Sequence, residues 1–412
     1  MKVLVINSGS SSIKYRLYDE ADLEPLVQGA VSRIGEGAAT LEYTSRSERQ
    51  CLPVAAPTHE AGMRLIIKSL LDRRLGAVTD VEEIGAVGHR AVHGGSSFTG
   101  SVLVDDAVIQ KMEECIPLAP LHNPPNLVGI RAAMKVLPHA KHVAVFDTAF
   151  HQTIPAKAFL YALPYEYYER DGIRRYGFHG TSYRYVMGRA CETLGCRPSD
   201  VKMVIAHLGN GSSVVAIDKG RSIDTSMGLT PLEGLMMGSR SGDIDPGVVF
   251  HLRRQLGMTV DEIDDLLNTK GGLLGVSGIS NDVRDLIEKA ASGDKRCAVA
   301  LEMFAYRAKK YIGGYTAALG GLDVVVFTGG IGENSAAVRE MICAGLGCLG
   351  VEIDPRKNAK TVGVEGMISA ESSRARVLVI PTDEERLIMQ DTLAVVDGVE
   401  RERAGTVHAK VG

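Results

Sequence analysis

Residues Lys2–Asp19 read KVLVINSGSSSIKYRLYD. Val3–Ile6 is a short apolar run rich in β-branched residues, the composition of a buried strand, and Ile13–Tyr18 is a second run of strand formers. Between them, Asn7-Ser8-Gly9-Ser10-Ser11-Ser12 is small and rich in hydroxyls. A turn of this make-up offers backbone N–H groups and serine donors from one concave edge, as an anion such as phosphate requires. It is not a P-loop, because no glycine loop ending in Gly-Lys-Ser/Thr and opening a helix occurs in the chain. Taken alone, a Ser/Gly turn between strands reads equally well as nothing more than a turn.

A second copy changes that reading. Two hundred residues later, Lys202–Lys219 reads KMVIAHLGNGSSVVAIDK. Val204–Ala206 falls opposite Leu4–Ile6, Gly209 opposite Gly9, Ser212 opposite Ser12 and Val214–Ile217 opposite Lys14–Leu17. Strand, small polar loop and strand recur in register. The expectation is a duplicated α/β architecture with a nucleotide held between the halves.

The bulk composition narrows the classes. A chain of 412 residues favours two domains over one core. Apolar content of 45% and charged content of 23% are those of an ordinary soluble globular protein. A net charge of −4, without a Lys/Arg cluster, argues against nucleic acid as a partner. Apolar runs such as Val324–Phe327 are too short to span a bilayer, and Asn7–Ser12 interrupts any N-terminal signal segment. Seven cysteines without a Cys-x-x-Cys pair read as reduced thiols, hence a cytoplasmic protein.

Along the chain, Pro25–Pro57 alternates like antiparallel strands, and Glu60–Leu75 has helical spacing. Ile84–His93 is a strand entering a loop, Ala107–Glu114 a helix, and Pro117–Pro125 an irregular proline-rich segment before a helix over Leu127–Val136. His142–Phe146 is a strand ending at Asp147, where α/β folds place functional groups. The second half repeats the order: helix Ser182–Leu194, hairpin Met203–Asp218, a glycine-studded loop Gly228–Gly247, then helices Gly247–Leu256, Val260–Leu267, Val283–Ala291 and Lys295–Leu319. That loop is long enough to be functional and too apolar for disorder. Strand Asp323–Phe327 runs into the glycine loop Thr328–Asn334 and helix Ser335–Ala344, a nucleotide-facing order, though no G-x-G-x-x-G is present. Strand Val377–Ile380 ends at Pro381, and Thr382-Asp383-Glu384-Glu385 reads as a capping box for a last helix to about Val395, with a polar, frayed tail from Glu400.

Some of these loops carry reactive side chains. Arg90 and Arg240 lie in glycine-rich loops after matching strands, and read either as solvated charges or as a clamp for an anionic substrate and its transition state. His122, His179 and His207 sit beside glycine, asparagine or proline, with no zinc spacing, so they read as structural histidines or phosphate donors. Asp147 and Glu384 each follow a strand. Glu384 is either a helix-N-terminal acid or a hold on Mg²⁺.

Over nearly its whole length the chain resembles the acetate kinase family. The matching segments are NSGSSSIK (7–14), GHRAVHGG (88–95), APLHNPP (119–125), FDTAFHQTIP (146–155), RRYGFHGTS (174–182), AHLGNGSS (206–213), TSMGLTPLEGLMMGSRSGDIDP (225–246), FTGGIGENS (327–335) and PTDEE (381–385). The resemblance implies the duplicated, actin-like ATPase (ribonuclease H-like) fold, with two similar domains of mixed sheets flanked by helices. It places the domains at 1–148 plus 383–412 and at 149–382, and implies a homodimer. Carried over position by position, Asn7 and Glu384 hold Mg²⁺ (with Mn²⁺ as a substitute), and Asp147, His179 and Arg240 are catalytic. Arg90 takes the acetate carboxylate, and Val92, Leu121, Phe178 and Pro231 surround its methyl. The ATP-binding positions are Ser10, Ser12, Lys14, His207, Leu208, Gly209, Asn210, Gly211, Asp282, Val283, Arg284, Gly330, Ile331, Gly332, Glu333 and Asn334. Three positions depart from the family pattern: Ser8 stands where Ala is usual, Tyr183 where His is usual, and Asp383 where Asn is usual.

The reaction implied is ATP + acetate ⇌ ADP + acetyl phosphate. A carboxylate is already an anion, so it needs no general base; Asp147 reads as an orienting group or, on the family's pattern, as an acid/base. Two rivals remain: a kinase for propionate or butyrate, and a conformational ATPase of the actin or chaperone type.

Overall fold

The computed structural model describes residues 1–22, 24–45, 48–72, 74 and 76–409, with 400–409 as backbone alone. The chain divides into two compact units, Met1–Ala149 with Asp383–Gly412, and Phe150–Thr382.

The first unit is built on the opening hairpin. Strand β1 (Lys2–Ser8) pairs antiparallel with β2 (Ser12–Asp19), Lys2 opposite Asp19 and Ser8 opposite Ile13. Strands β3 (Val27–Ser32), β4 (Ala39–Ser45) and β5 (Arg49–Val54) extend that side as a meander. On the other side β1 runs parallel to β6 (Ile84–Ala91), and a short β7 (Val102–Leu103) lies beyond β8 (Lys141–Phe146), giving the order β5-β4-β3-β2-β1-β6-β8-β7. Val3, Leu4, Val5 and Ile6 are at most 1% exposed. Such a two-sided apolar strand is what a parallel sheet covered on both faces demands, and each of these side chains contributes about 1.5–3 kcal/mol by burial.

Helices His59–Leu70 and Asn123–Val136 cover one face, packing on Leu4, Ile6 and Ile13. Helix Glu384–Ala409 covers the other through Ile388 and Met389 on Val3 and Val5. Its approach depends on Gly88, where a Cβ would stand 2.3 Å from Thr392 Oγ1 and 2.8 Å from Ile388 Cγ2. This docking delivers Glu384, the first residue of the helix, to the end of the sheet that carries Arg90 and Asp147.

The second unit repeats the plan. Strand β9 (Lys202–Leu208) pairs antiparallel with β10 (Ser212–Asp218), which pairs with β11 (Arg221–Thr225). β9 runs parallel to β12 (Val324–Thr328), which runs parallel to β14 (Arg376–Val379), with a short β13 (Gly366–Met367) at the edge. The order β11-β10-β9-β12-β14 matches β3-β2-β1-β6-β8 strand for strand. The duplication expected from the paired hairpins is present, and the fold is the ribonuclease H-like one that the family resemblance implies. Helix Lys295–Leu319 covers one face, started by the Asp294 side chain accepting from Cys297 N and stopped by Gly320 in the left-handed region, φ 63°.

The local expectations need four corrections. The helix expected from Leu127 begins at Asn123, because Pro124 and Pro125 fall in its first turn, where a missing N–H costs nothing. Gly329–Asn334, expected as a loop, is itself a helical turn before helix Ala336–Cys343. The last helix is capped by Asp383 accepting from Arg386 N, not by Thr382, and it continues to Ala409 rather than stopping near Val395 and fraying from Glu400. Helix His59–Leu70 is shorter than expected, and Leu75 and 410–412 lie outside the described residues. Among the described residues no helix is long and apolar enough to cross a membrane.

Candidate active site

In the first unit, β6 carries Arg90 and the end of β8 carries Asp147. Arg90 Nη2 donates to Asp147 Oδ2 at 2.7 Å and Nε to Oδ1 at 3.2 Å, a two-pronged pair. Glu384 Oε2 lies 3.7 Å from Arg90 Nε. One guanidinium therefore serves two carboxylates, with Asp147 2% and Glu384 17% exposed. Asp147 chiefly, with Glu384, holds the Arg90 cation firmly charged. Burial, reinforced by Asp147, Glu385 and Asp383, pushes the Glu384 carboxyl up to about 7 against the pull of Arg90. Asp383 does not join this cluster freely: its Oδ1 accepts from Arg16 Nη1 at 2.7 Å.

Val92 follows directly, 9% exposed, but β6 ends at Ala91, so strand alternation does not fix its direction relative to Arg90. Asn126 does that work. Its Oδ1 accepts from Val92 N at 3.0 Å while its Nδ2 donates to the Ser8 carbonyl at 2.9 Å, tying the segment after β6 to the end of β1. Asn123 similarly brackets His93 through both backbone groups. Leu121 lies apart from this framework, 67% exposed. Around the first hairpin, Gly9 N donates to Ser12 O at 2.8 Å, the Gly9 carbonyl is held 2.8 Å from His59 Nε2, and Ser10 and Lys14 are exposed.

Beside Arg90, His89 Nε2 meets His142 Nδ1 at 3.0 Å, and His142 Nε2 meets the Leu137 carbonyl at 3.0 Å. A carbonyl only accepts, so His142 is protonated on Nε2 and receives the His89 proton on Nδ1. Burial lowers the pKa of His89, His142 and His93, the last to about 4. Unfolded histidine titrates near ~6.5. Below that pH the unfolded chain binds more protons, so stability falls with pH, by up to about 1.4 kcal/mol per unit for each histidine. Glu384 acts oppositely, since a raised carboxyl takes up its proton first in the folded state and gains stability as pH drops through about 7. Burial also raises Asp224 and Asp383, in the same sense as Glu384 but from an ordinary value below pH 5, so the three histidines set the sign: the urea midpoint is expected to be lower at pH 5 than at pH 7. A midpoint that held or rose would mean that the histidine pocket accommodates charge.

In the second unit, His179 precedes helix Gly180–Leu194 with φ 58°, a left-handed conformation that turns its ring off the helix axis. The ring stacks on His207 of β9, centroids 4.1 Å apart at 19°, and its Nδ1 is 2.8 Å from Ser213 Oγ on β10. Gly211 lies beneath: a Cβ there would be 3.5 Å from Arg240 Nη1 and 3.7 Å from His179 Nε2. Arg240 and His179 thus converge over the turn of the second hairpin. Arg240 donates to the Pro231 carbonyl at 3.3 Å, and among the described residues no carboxylate pairs with it. Burial works against its charge. A half-buried guanidinium lacking a counter-ion, beside a histidine, is suited to an anion.

A cavity of about 640 Å³ opens alongside, lined by Gly209, Asn210, Asp282, Val283, Arg284, Gly330, Ile331 and Asn334 from the expected nucleotide positions, and by Asn281, Ile287 and Ser335 in addition. Its size suits a nucleotide-sized ligand. The expected positions His207, Leu208, Gly211, Gly332 and Glu333 are not in this lining. Glu333 turns inward instead, its Oε1 accepting from Gly329 N at 2.8 Å and Thr382 N at 3.0 Å.

The sequence model of the Acetokinase family matches residues 2–390. The chain belongs to the acetokinase family. An acetate kinase of Thermotoga maritima is 52% identical over 403 residues, 97% of this chain and 100% of the relative. The crystal structure of Porphyromonas gingivalis acetate kinase superposes with a TM-score of 0.92 at 47% identity, covering 96% of this chain and 99% of that one. A propionate kinase from Francisella tularensis gives 0.90 at 40% identity over the same shares. As a member of this family the chain is a phosphotransferase, a kinase that uses ATP and ADP.

Several residues that shape this candidate site escaped the sequence reading. Arg175, quoted only within a motif, donates through Nη1 to the carbonyls of Thr225, Ser226 and Met227 and through Nη2 to Glu233 at 2.5 Å. Tyr161 donates to the same carboxylate. Gly234, at φ 105°, would put a Cβ 2.5 Å from the Ser226 carbonyl, so only glycine fits. These contacts pin the loop that carries Pro231 and Arg240, which explains why so glycine-rich a segment is ordered.

Proposed function

We propose that this chain is an acetate kinase, transferring the γ-phosphoryl group of ATP directly and reversibly to a carboxylate oxygen of acetate. The observation that carries the reading is the convergence of Arg240 and His179 over Gly211, beside a cavity of about 640 Å³. In the forward direction the acetate oxygen forms a bond to the γ-phosphorus and the bond to the β–γ bridging oxygen breaks, leaving ADP. Both reactants are anions, so charge is the obstacle. Arg240 and His179 would stabilise the charge spread over the transferred group; Arg90 would orient the acetate carboxylate, exchanging part of its hold on Glu384.

Asn7 and Glu384 would hold Mg²⁺, with Mn²⁺ as a substitute, and the ion would neutralise phosphate oxygens. The residues fit: two carboxylates share one guanidinium, and burial with the neighbouring acids raises the Glu384 carboxyl, so a second cation beside it would restore its charge. Mg²⁺ takes few protein ligands and completes its shell with water and phosphate. Asp147 is read as the group that orients Arg90. A homodimer in the cytoplasm belongs to the same reading and rests on family kinship.

The test is acyl phosphate trapped with hydroxylamine, with kcat/KM compared across acetate, propionate and butyrate. Acetate should lead. The reading puts its methyl group against Val92, where one further CH₂ gains ~0.8 kcal/mol by burial but costs ~1–3 kcal/mol if the space is filled. Val92→Ala is expected to raise propionate relative to acetate roughly tenfold. An unchanged ratio in an active variant removes Val92 from the pocket, and no acyl phosphate from any acid sinks the reading.

A further inference from the structure

Tyr183 lies one hydroxyl away from His179. It sits in the first turn of helix Gly180–Leu194, with no exposed surface. Its hydroxyl meets Ser213 Oγ closely, and the same oxygen is 2.8 Å from His179 Nδ1. Among the described residues Ser213 is the sole hydrogen-bond partner of the phenol, and Tyr183 and His179 are the two side-chain partners of Ser213.

Hydrogen counting gives this chain a direction. If Tyr183 donates to Ser213 and Ser213 donates to His179 Nδ1, both hydroxyl hydrogens are used and both acceptors are met. In the reverse sense, His179 Nδ1–H donates to Ser213 and Ser213 to Tyr183. The phenolic hydrogen is then buried without an acceptor or, if Ser213 accepts from both neighbours, its own hydroxyl hydrogen is, the costly outcome for a buried donor. The forward sense leaves Nδ1 as an acceptor, so the imidazole proton resides on Nε2, the atom next to Arg240 over Gly211.

We propose that Tyr183, acting through Ser213, is a positioning residue that fixes His179 as the neutral tautomer protonated on Nε2, presenting a hydrogen donor at the phosphoryl position. The proposal rests on the reading of His179 as the group that stabilises the transferred phosphoryl. Three neighbours agree with this arrangement. His207 stacks on it from β9, Arg240 approaches from the pinned loop, and His151 packs edge-on against Tyr183. A second proton on His179 would have to reverse the Tyr183–Ser213 chain and stand beside the Arg240 cation. Burial also holds the phenol protonated, so its hydrogen stays available to Ser213.

The test is histidine side-chain ¹⁵N NMR of the full chain, with His179 assigned from His179→Gln, alongside steady-state kinetics. In the unmodified chain His179 should show the Nε2–H tautomer alone. In Tyr183→Phe it should become a tautomer mixture and protonate at higher pH. The acid limb of the kcat profile should shift with it, and kcat should fall about tenfold, the scale of one lost hydrogen bond, while KM for acetate and ATP stays within about twofold. Ser213→Ala cuts the same chain if Tyr183→Phe fails to fold, and Ser213→Thr, which keeps the hydroxyl, should restore the single tautomer. An Nδ1–H tautomer in the unmodified chain, or a tautomer and acid limb untouched in both variants, overturns the proposal. The expected tautomers in a chain that phosphorylates no acid would uphold the positioning and overturn the functional reading instead.

Discussion

Arg240→Ala is expected to lower kcat about 10³-fold, the scale on which a transition-state arginine acts in phosphoryl transfer, with a smaller change in KM for acetate. Arg240 stands over Gly211 with His179, and among the described residues no carboxylate pairs with it. Its removal therefore leaves no buried acid uncompensated. Folding stability should change little, because the lost contacts are one carbonyl hydrogen bond at 3.3 Å and a grazing approach to the Met237 sulfur at 3.9 Å. Stopped catalysis in a chain of near-normal urea midpoint is the signature. A large rise in KM with kcat retained would move Arg240 to ground-state binding, and a collapse of stability would make it structural.

Arg90→Ala should behave in the opposite way. Arg90 is the cation shared by Asp147, at 2.7 Å, and Glu384, at 3.7 Å. Breaking a buried pair from one side typically costs about 3–5 kcal/mol, because the other charge stays buried. Glu384 can soften that loss by taking up a proton, its carboxyl being already raised to about 7, so the destabilisation should be larger at pH 8 than at pH 6. On the proposed function, acetate KM should also rise about 10–100-fold, the worth of a charge-assisted hydrogen bond to a carboxylate, while ATP KM moves little. Equal losses for both substrates would show that Arg90 acts by holding its unit together. Unaltered stability at pH 8 would mean that Asp147 and Glu384 find another partner.

The contrast between these arginines was not legible in the sequence, which reads both as loop arginines after matching strands; the structure corrects this, putting Arg90 on β6 and Arg240 in the loop after β11, the counterpart of β3. Their difference is one of neighbours. Asp147 reaches Arg90 because β6 and β8 are parallel partners, Arg90 opposite Val145 and Ala91 opposite Phe146. Glu384 reaches it because a helix from the far end of the chain docks on Gly88. Among the described residues Arg240 has no such partner, because the loop carrying it is pinned by Arg175, Glu233 and Tyr161 in a shape that no local pattern encodes.

The residues by themselves determined a good deal. Apolar runs of strand length around a Ser/Gly turn, repeated at a spacing of 200 residues, specified two matching hairpins, because alternation and turn chemistry act over a few bonds and need no distant partner. They specified helix Lys295–Leu319 to the residue, since Asp294 and Gly320 are local start and stop signals. The quoted motifs specified the family. Tertiary structure alone decided which of several reactive side chains are neutralised and which are left facing a ligand. It also decided that Tyr183 and Ser213 line up in a hydrogen-bonded chain on His179, which no local pattern encodes. The reason is physical: a pKa, a tautomer or an unpaired charge depends on burial and on atoms a few ångströms away, and those atoms come from strands and helices that meet only once the chain has folded.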